Sequence, residues 1–169
     1  QDGVSAFYDF THHSFDPGGT LIKNSIGTGW RHFFTEQLFA DAKVGADFIQ
    51  PVAGKDMVKP QYSLSLNNIR NATTLYTLTY SRQHADSPYS QFLFDSWQVS
   101  LNANKDLSPR INGNLNAFTG QGKYEDFGLK QSLTGVSGAL TYALNRIWGL
   151  GLRYTYSRNN SNEPTNDYT

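Results

Sequence analysis

The chain has 169 residues, with 14 Lys+Arg balanced by 14 Asp+Glu and no cysteine. That balance speaks against a nucleic-acid binder, which needs a clustered basic surface, and the lack of cysteine removes disulfides, thiolate zinc sites and dithiol redox motifs. A mean hydropathy of -0.52, with no apolar run of about 18 residues, excludes a transmembrane helix. Charged residues make up only 17 % and aromatics 14 %. Such a composition leaves one kind of membrane protein open, because a barrel strand is apolar only at every second residue and its average looks polar.

The chain opens on Gln1-Asp2-Gly3. Neither a basic n-region nor an apolar h-region is present, so no signal peptide is read there. This is no argument for the cytoplasm.

Period-two patterning divides the chain into strand-length pieces at 4–13, 22–35, 38–50, 59–70, 74–84, 92–105, 111–122, 132–144 and 148–158. The connections alternate in length. Those at 34–37, 70–73, 106–110 and 144–147 are short. Those at 50–57, 84–91, 120–131 and 157–169 are longer and polar. Up-strand, long loop, down-strand and tight turn form a hairpin repeat, and loop lengths segregated by end are the outer-membrane barrel arrangement.

Successive residues of a strand point to opposite faces, so each piece yields two side-chain rows. In 22–35, Ile26, Thr28, Trp30, His32 and Phe34 oppose Ser25, Gly27, Gly29 and Arg31. In 38–50, Leu38, Ala40, Ala42, Val44, Ala46 and Phe48 oppose Phe39, Asp41, Lys43, Gly45 and Asp47. The pattern continues through Tyr62, Leu64 and Leu66, then Tyr76, Leu78 and Tyr80, then Trp97, Val99, Leu101 and Ala103. It ends with Ile111, Gly113, Leu115 and Ala117, Val136 to Leu144, and Trp148 to Tyr156. No Asp, Glu, Lys or Arg enters the apolar row at mid-strand, as a lipid face requires: a charge at the bilayer midplane costs about 2–4 kcal/mol. A soluble β-sandwich also alternates, but it needs a bulky row to fill a dry core. Here mid-strand positions are light, at Ala40, Ala42, Gly113, Ala117 and Gly138.

The aromatics suggest two interfacial belts. Phe34, Tyr142 and Trp148 are expected next to the short turns, and Trp30 is expected at the lipid interface. Phe48, Tyr80, Trp97, Tyr154 and Tyr156 are expected beside the long loops. The second row is expected to be small and polar and to face a lumen. It carries the charges Arg31, Asp41, Lys43, Asp47 and Arg153. These can stiffen the wall as paired charges or select solutes by charge at a constriction. Pairing is the preferred reading, with Asp41 and Lys43 as same-face neighbours that neutralise each other.

The expected fold class is therefore all-β, an antiparallel up-and-down transmembrane β-barrel, with residues 1–169 forming one barrel domain or a segment of one. Nine strands is an odd count, whereas single-chain bacterial barrels have even numbers. The expectation is a piece of a barrel with ten or more strands, because an open edge in lipid leaves backbone groups unpaired at several kcal/mol each.

The units Leu107-Ser108-Pro109-Arg110-Ile111 and Leu140 through Arg158 resemble the strand–turn–strand units of the beta-barrel porin 2 type of outer-membrane proteins. The paired stretches Thr79-Tyr80-Ser81-Arg82 and Thr155-Tyr156-Ser157-Arg158 are similar in style, and the resemblance runs from about residue 24 onward. It implies a channel or export pore in a bacterial outer membrane, including barrels associated with exopolysaccharide export and exosortase systems. It brings no catalytic residues.

Candidate chemistry is sparse. His12 and His13 are adjacent on a strand and point to opposite faces, which does not suit one metal ion. His32 and His84 lie near strand ends without a spaced partner. Residues 152–161 also resemble the end of lipid A deacylases, but Tyr156 stands where those enzymes carry a catalytic His, which removes the general base. Gly27-Thr28-Gly29 is strand, not a phosphate cradle. Glu125, Asp126 and Glu163 are loop acids that suit solvation or divalent ions beside lipopolysaccharide. The expected function is an outer-membrane channel, porin or export pore for hydrophilic solutes or polysaccharide. A structural barrel or sheath binding a partner protein is the first alternative, and a lipid-modifying enzyme the second. No enzyme activity, cofactor or metal is expected. The expected partners are outer-membrane lipid and either a partner protein or further strands that complete the barrel, with no nucleic acid.

Overall fold

A computed structural model of the chain describes residues 2–15, 19–50, 55–86, 93–124 and 128–162. These residues form nine strands: β1 (Gly3–Phe15), β2 (Gly19–Phe33), β3 (Leu38–Gln50), β4 (Met57–Asn71), β5 (Thr74–Asp86), β6 (Leu93–Ser108), β7 (Ile111–Tyr124), β8 (Lys130–Ala143) and β9 (Gly149–Ser161). They pair antiparallel in chain order as one sheet, β1 to β9. The fold is all-β and up-and-down. The sheet is open, with β1 and β9 at its edges.

Every strand foreseen from period two is present, but most run further than the alternation does. β2 begins at Gly19 and β9 continues to Ser161. The backbone ladder depends on N–H and C=O pairing, so it continues where side chains have turned polar. Four boundaries move the other way: β2 ends at Phe33, β6 begins at Leu93, β8 ends at Ala143 and β9 begins at Gly149, which leaves Phe34 and Trp148 in turns. The longer strands shorten the connections. The link expected over 120–131 narrows to the residues between Tyr124 and Lys130, and the link over 106–110 shrinks to 109–110. Loop length is therefore less sharply segregated by end than expected, since the turn at 144–148 is comparable with the connection at 125–129.

The four turns at one end share a device. In each, a polar side chain accepts backbone N–H groups just ahead of it, as Asx and Ser/Thr turns do. Thr35 Oγ1 accepts from Gln37 N and Leu38 N at 3.2 and 3.0 Å. Asn145 Oδ1 accepts from Ile147 N and Trp148 N at 2.9 and 2.8 Å. Asn71 Oδ1 accepts from Thr73 N at 3.0 Å, and Ser108 Oγ from Arg110 N at 3.3 Å. The outer two turns match each other in backbone pairing, Phe34 N to Leu38 O and Leu144 N to Trp148 O. The inner two each follow a shift in strand register, at Ile69/Asn71 and Asp106/Ser108.

The register places the alternating rows on two faces. Of the buried side chains, Leu21, Ser25, Asp47, Ile49, Asn67 and Asn159 belong to the polar row, and only Thr74, beside the turn at 72–73, belongs to the other. That row is therefore the enclosed, concave face. The apolar row points outward: Ile26, Val44, Leu64, Leu78, Leu101, Leu115 and Leu140 are all exposed, and Leu152 is 72 % exposed. Among the described residues the only buried hydrophobics are Leu21 and Ile49. A soluble β-domain of this size would bury many more against a second layer.

The enclosed face is not uniformly small and polar, which corrects the sequence expectation. Phe7, Phe39, Phe118, Leu21 and Ile49 share it by register. Two of the rings reach over glycines directly opposite them on the neighbouring strand. A Cβ at Gly27 would stand 2.5 Å from Phe7 Cζ, and one at Gly135 would stand 2.6 Å from Phe118 Cζ. The missing side chain there makes room for a ring that covers bare backbone.

Candidate functional site

The enclosed face is the first candidate site. Its charges enter through the register of β2 and β3, which sets Arg31 opposite Asp41. Arg31 Nε donates to Asp41 Oδ1 at 2.6 Å and Nη2 to Oδ2 at 3.2 Å, a bidentate pair. The guanidinium carbon also lies 4.8 Å from the centroid of Phe39. Asp41 is thus neutralised by Arg31 and not by Lys43, contrary to the sequence reading. Neighbours two apart on one strand stand further from each other than residues directly opposite on adjacent strands.

From Asp41 the hydrogen bonds run on across the strands. Asn67 Nδ2 donates to Asp41 Oδ2 at 3.1 Å, and Thr77 Oγ1 donates to Asn67 Oδ1 at 3.0 Å. Asn114 donates to Asn102 at 3.4 Å, and Asn112 donates to Asn104 and Asp106 at 2.9 and 2.8 Å. Ser65 and Thr79 share a bond at 3.0 Å. Closer to the other end, buried Asp47 accepts from Ser25 Oγ at 2.6 Å and lies opposite Lys59 in register. Gln61 Nε2 is buried on this face without a hydrogen-bond partner.

Of the five charges singled out in the sequence, Arg31, Asp41, Lys43 and Asp47 come together on β2 and β3. Arg153 shares their face but lies on β9, at the far edge of the sheet. Lys43 lines two depressions of about 510 and 360 Å³, with Ser63 common to both. The Asn-rich strip on β4, β6 and β7 was visible as letters in the sequence. Its cross-strand bonding needed the register.

The outward face holds the aromatics. Trp30 and Phe34 meet through His32, with ring centroids at 5.3 and 4.9 Å, and His32 Nδ1 lies 2.8 Å from Asp2 Oδ1. Tyr80 and Trp97 meet at 6.5 Å, and Tyr62 joins them at 5.9 Å from Tyr80. Phe48, Tyr142, Trp148, Tyr154 and Tyr156 are exposed. Tyr80, Tyr154 and Tyr156 do not border loops as expected, because β5 continues to Asp86 and β9 to Ser161. His12 and His13 face opposite sides. His84 lies in β5, and Glu125, Asp126 and Glu163 fall outside the described residues. Among the described residues no group of three or more His, Cys, Asp or Glu could hold a metal ion.

Charge does enter the outward row, at the end away from the four capped turns. Arg82, Asp95, Lys123 and Lys130 continue the rows of Tyr80, Trp97, Leu115 and Val136. Arg82 Nη2 donates to Asp95 Oδ2 at 2.7 Å, and Nε donates to Oδ1 at 3.2 Å. Carrying the period two residues past Tyr80 and Lys123's partners past the apolar stretch would have found them.

An open-faced antiparallel meander with an apolar outer face and a polar enclosed face is the wall of a β-barrel. A family model described as "Putative beta-barrel porin 2" matches residues 71–169, more than half of the chain, and the chain belongs to that family. The match spans β5 to β9 and begins later than the resemblance foreseen from about residue 24. No curated protein and no solved structure matches the chain.

Proposed function

We propose that this chain forms part of the wall of an outer-membrane channel of the Gram-negative type, through which hydrophilic solutes or a polysaccharide strand pass. The observation that carries the reading is the inversion of the usual burial: large hydrophobics are exposed on one face, while the buried side chains are mostly Ser, Asp and Asn on the other. In water such an apolar face would drive aggregation. In a bilayer it meets lipid, and the enclosed face lines an aqueous path. The enclosed face suits uncharged, hydroxyl-rich solutes, since its Arg31–Asp41 pair cancels and its Asn, Ser and Thr side chains offer both donors and acceptors. No catalytic step is assigned to the chain.

The test is ion conductance of the intact protein in a planar bilayer, alongside heat-modifiable electrophoretic mobility. Stepwise conductance with a heat-modifiable band supports the channel. A heat-modifiable band without conductance favours the second reading, a structural barrel that encloses or binds another chain. Under either reading the backbone groups at the β1 and β9 edges need strand partners in lipid.

A further inference from the structure

We propose that the outward face of β5 to β8, at the end away from the four capped turns, binds the phosphorylated headgroup of an outer-leaflet glycolipid through Arg82, Lys123 and Lys130. The inference rests on the outer-membrane reading above and adds a site on the side of the wall opposite the channel.

Three observations carry it. First, depth. The ring pair Tyr80 and Trp97 lies on the lipid-facing row, and amphipathic rings favour the membrane–water interface. Arg82 stands directly opposite Trp97, and the two lysines lie one same-face position beyond it, at the level where headgroup phosphates begin. Second, charge. Lys123 stands directly opposite Asp95 on one side and directly opposite Lys130 on the other. Both oxygens of Asp95 accept from Arg82. Arg82 thus occupies the carboxylate, and no salt bridge among the described residues engages either lysine. Like charges directly opposite across a strand pair repel, and an anion between them reverses the sign. Third, shape. These side chains line a single groove of about 480 Å³ together with Tyr80 and Trp97. A phosphate can sit against the lysines while the sugar ring to which it is esterified packs on the aromatic rings.

A lipid is favoured over a free anion because the groove opens onto the row that continues as Val99, Leu101 and Leu115, where acyl chains would lie.

The test uses the intact protein folded in detergent micelles, with heat-modifiable mobility as the check on the barrel. Bis-phosphorylated lipid A, fully dephosphorylated lipid A and inorganic phosphate are each titrated, and retention is read by native mass spectrometry. The phosphorylated lipid is expected to be retained about tenfold or more better than the dephosphorylated one, given the attraction of each surface cation to anionic lipid. Lys123→Gln with Lys130→Gln should remove about that factor, and Lys123→Arg with Lys130→Arg should keep it. Equal retention of the two lipids, or no effect of the glutamine pair, overturns the proposal. Displacement of the lipid by inorganic phosphate alone would also overturn it, in favour of a small-anion site. If the protein shows no heat-modifiable form, the barrel reading fails and the lipid site fails with it. A heat-modifiable form without lipid preference removes the site alone.

Discussion

Arg82 and Asp95 are held together on the face that otherwise carries Leu78, Tyr80, Val99 and Leu101, with Arg82 Nη2 2.7 Å from Asp95 Oδ2. An ion pair on the lipid side of a membrane wall is tolerable only outside the hydrocarbon. Its place one position beyond the Tyr80–Trp97 pair therefore fixes where the apolar band ends on β5 and β6. On β9 the corresponding row runs from Trp148 to Tyr156 before Arg158, a length that fits the roughly 9–11 residues a tilted strand needs to cross.

The depth argument gives a paired expectation. Arg82→Leu should change the stability of the folded, lipid-inserted protein by no more than about 1 kcal/mol, because an arginine near the interface is nearly neutral. Leu78→Arg places the same group inside the band, where the cost is about 2–4 kcal/mol. Urea titration of folding into vesicles measures both. Equal effects would mean that the band does not end between Leu78 and Arg82.

The turn at 144–148 is closed by Asn145, whose side-chain oxygen takes two backbone N–H groups. Asn145→Ala removes both acceptors and should destabilise by about 1–2 kcal/mol. Asn145→Asp, which keeps the acceptor, should stay within about 0.5 kcal/mol. The matching turn at Thr35 should respond in the same direction to Thr35→Ala. Proteolytic nicking at the turn offers a second readout, since loss of the bonds exposes the backbone.

Gly135 tests the enclosed face. A Cβ there would stand 2.6 Å from Phe118 Cζ and 2.8 Å from the carbonyl oxygen of Tyr156. Gly135→Ala should cost about 1–3 kcal/mol through overpacking. Phe118→Leu should relieve only part of that cost, because the Tyr156 carbonyl belongs to the neighbouring strand and stays. Full relief in the double variant would mean that β8 and β9 sit further apart than described.

The strands were readable in the sequence because a two-faced wall writes its alternation residue by residue, and rows such as Tyr62, Leu64, Leu66 against Ser63, Ser65, Asn67 admit one period only. Their ends were not readable. Past Tyr156 the side chains are polar on both faces, so Asn159 and Asn160 look like loop although the ladder continues. The charge partners were out of reach for a related reason. Asp41 has Lys43 two residues away in sequence, but its partner Arg31 is set by the β2–β3 register, which depends on the turn at 34–37. Phe7 and Phe118 were missed as lining residues because their reason for facing inward, the glycines at 27 and 135, lies on neighbouring strands.

The same pairing predicts unequal effects on ion selectivity. Lys43 is exposed on the enclosed face and lines both depressions there, and no salt bridge among the described residues engages it. In the proposed channel its charge would be open to the conducting path, so Lys43→Gln should shift the reversal potential of the intact protein in a salt gradient towards cation selectivity. Arg31 is cancelled by Asp41 at 2.6 Å, so replacing both, Arg31→Gln with Asp41→Asn, should leave the reversal potential close to that of the parent. Asp41→Asn alone frees the guanidinium and should shift selectivity towards anions, opposite in sign to the Lys43 change. The shifts should shrink as ionic strength rises, because the Debye length falls from about 10 Å at 0.1 M to about 3 Å at 1 M. Equal shifts from Lys43→Gln and from the Arg31/Asp41 double variant would mean that the enclosed face does not line the conducting path in the way its ion pair implies.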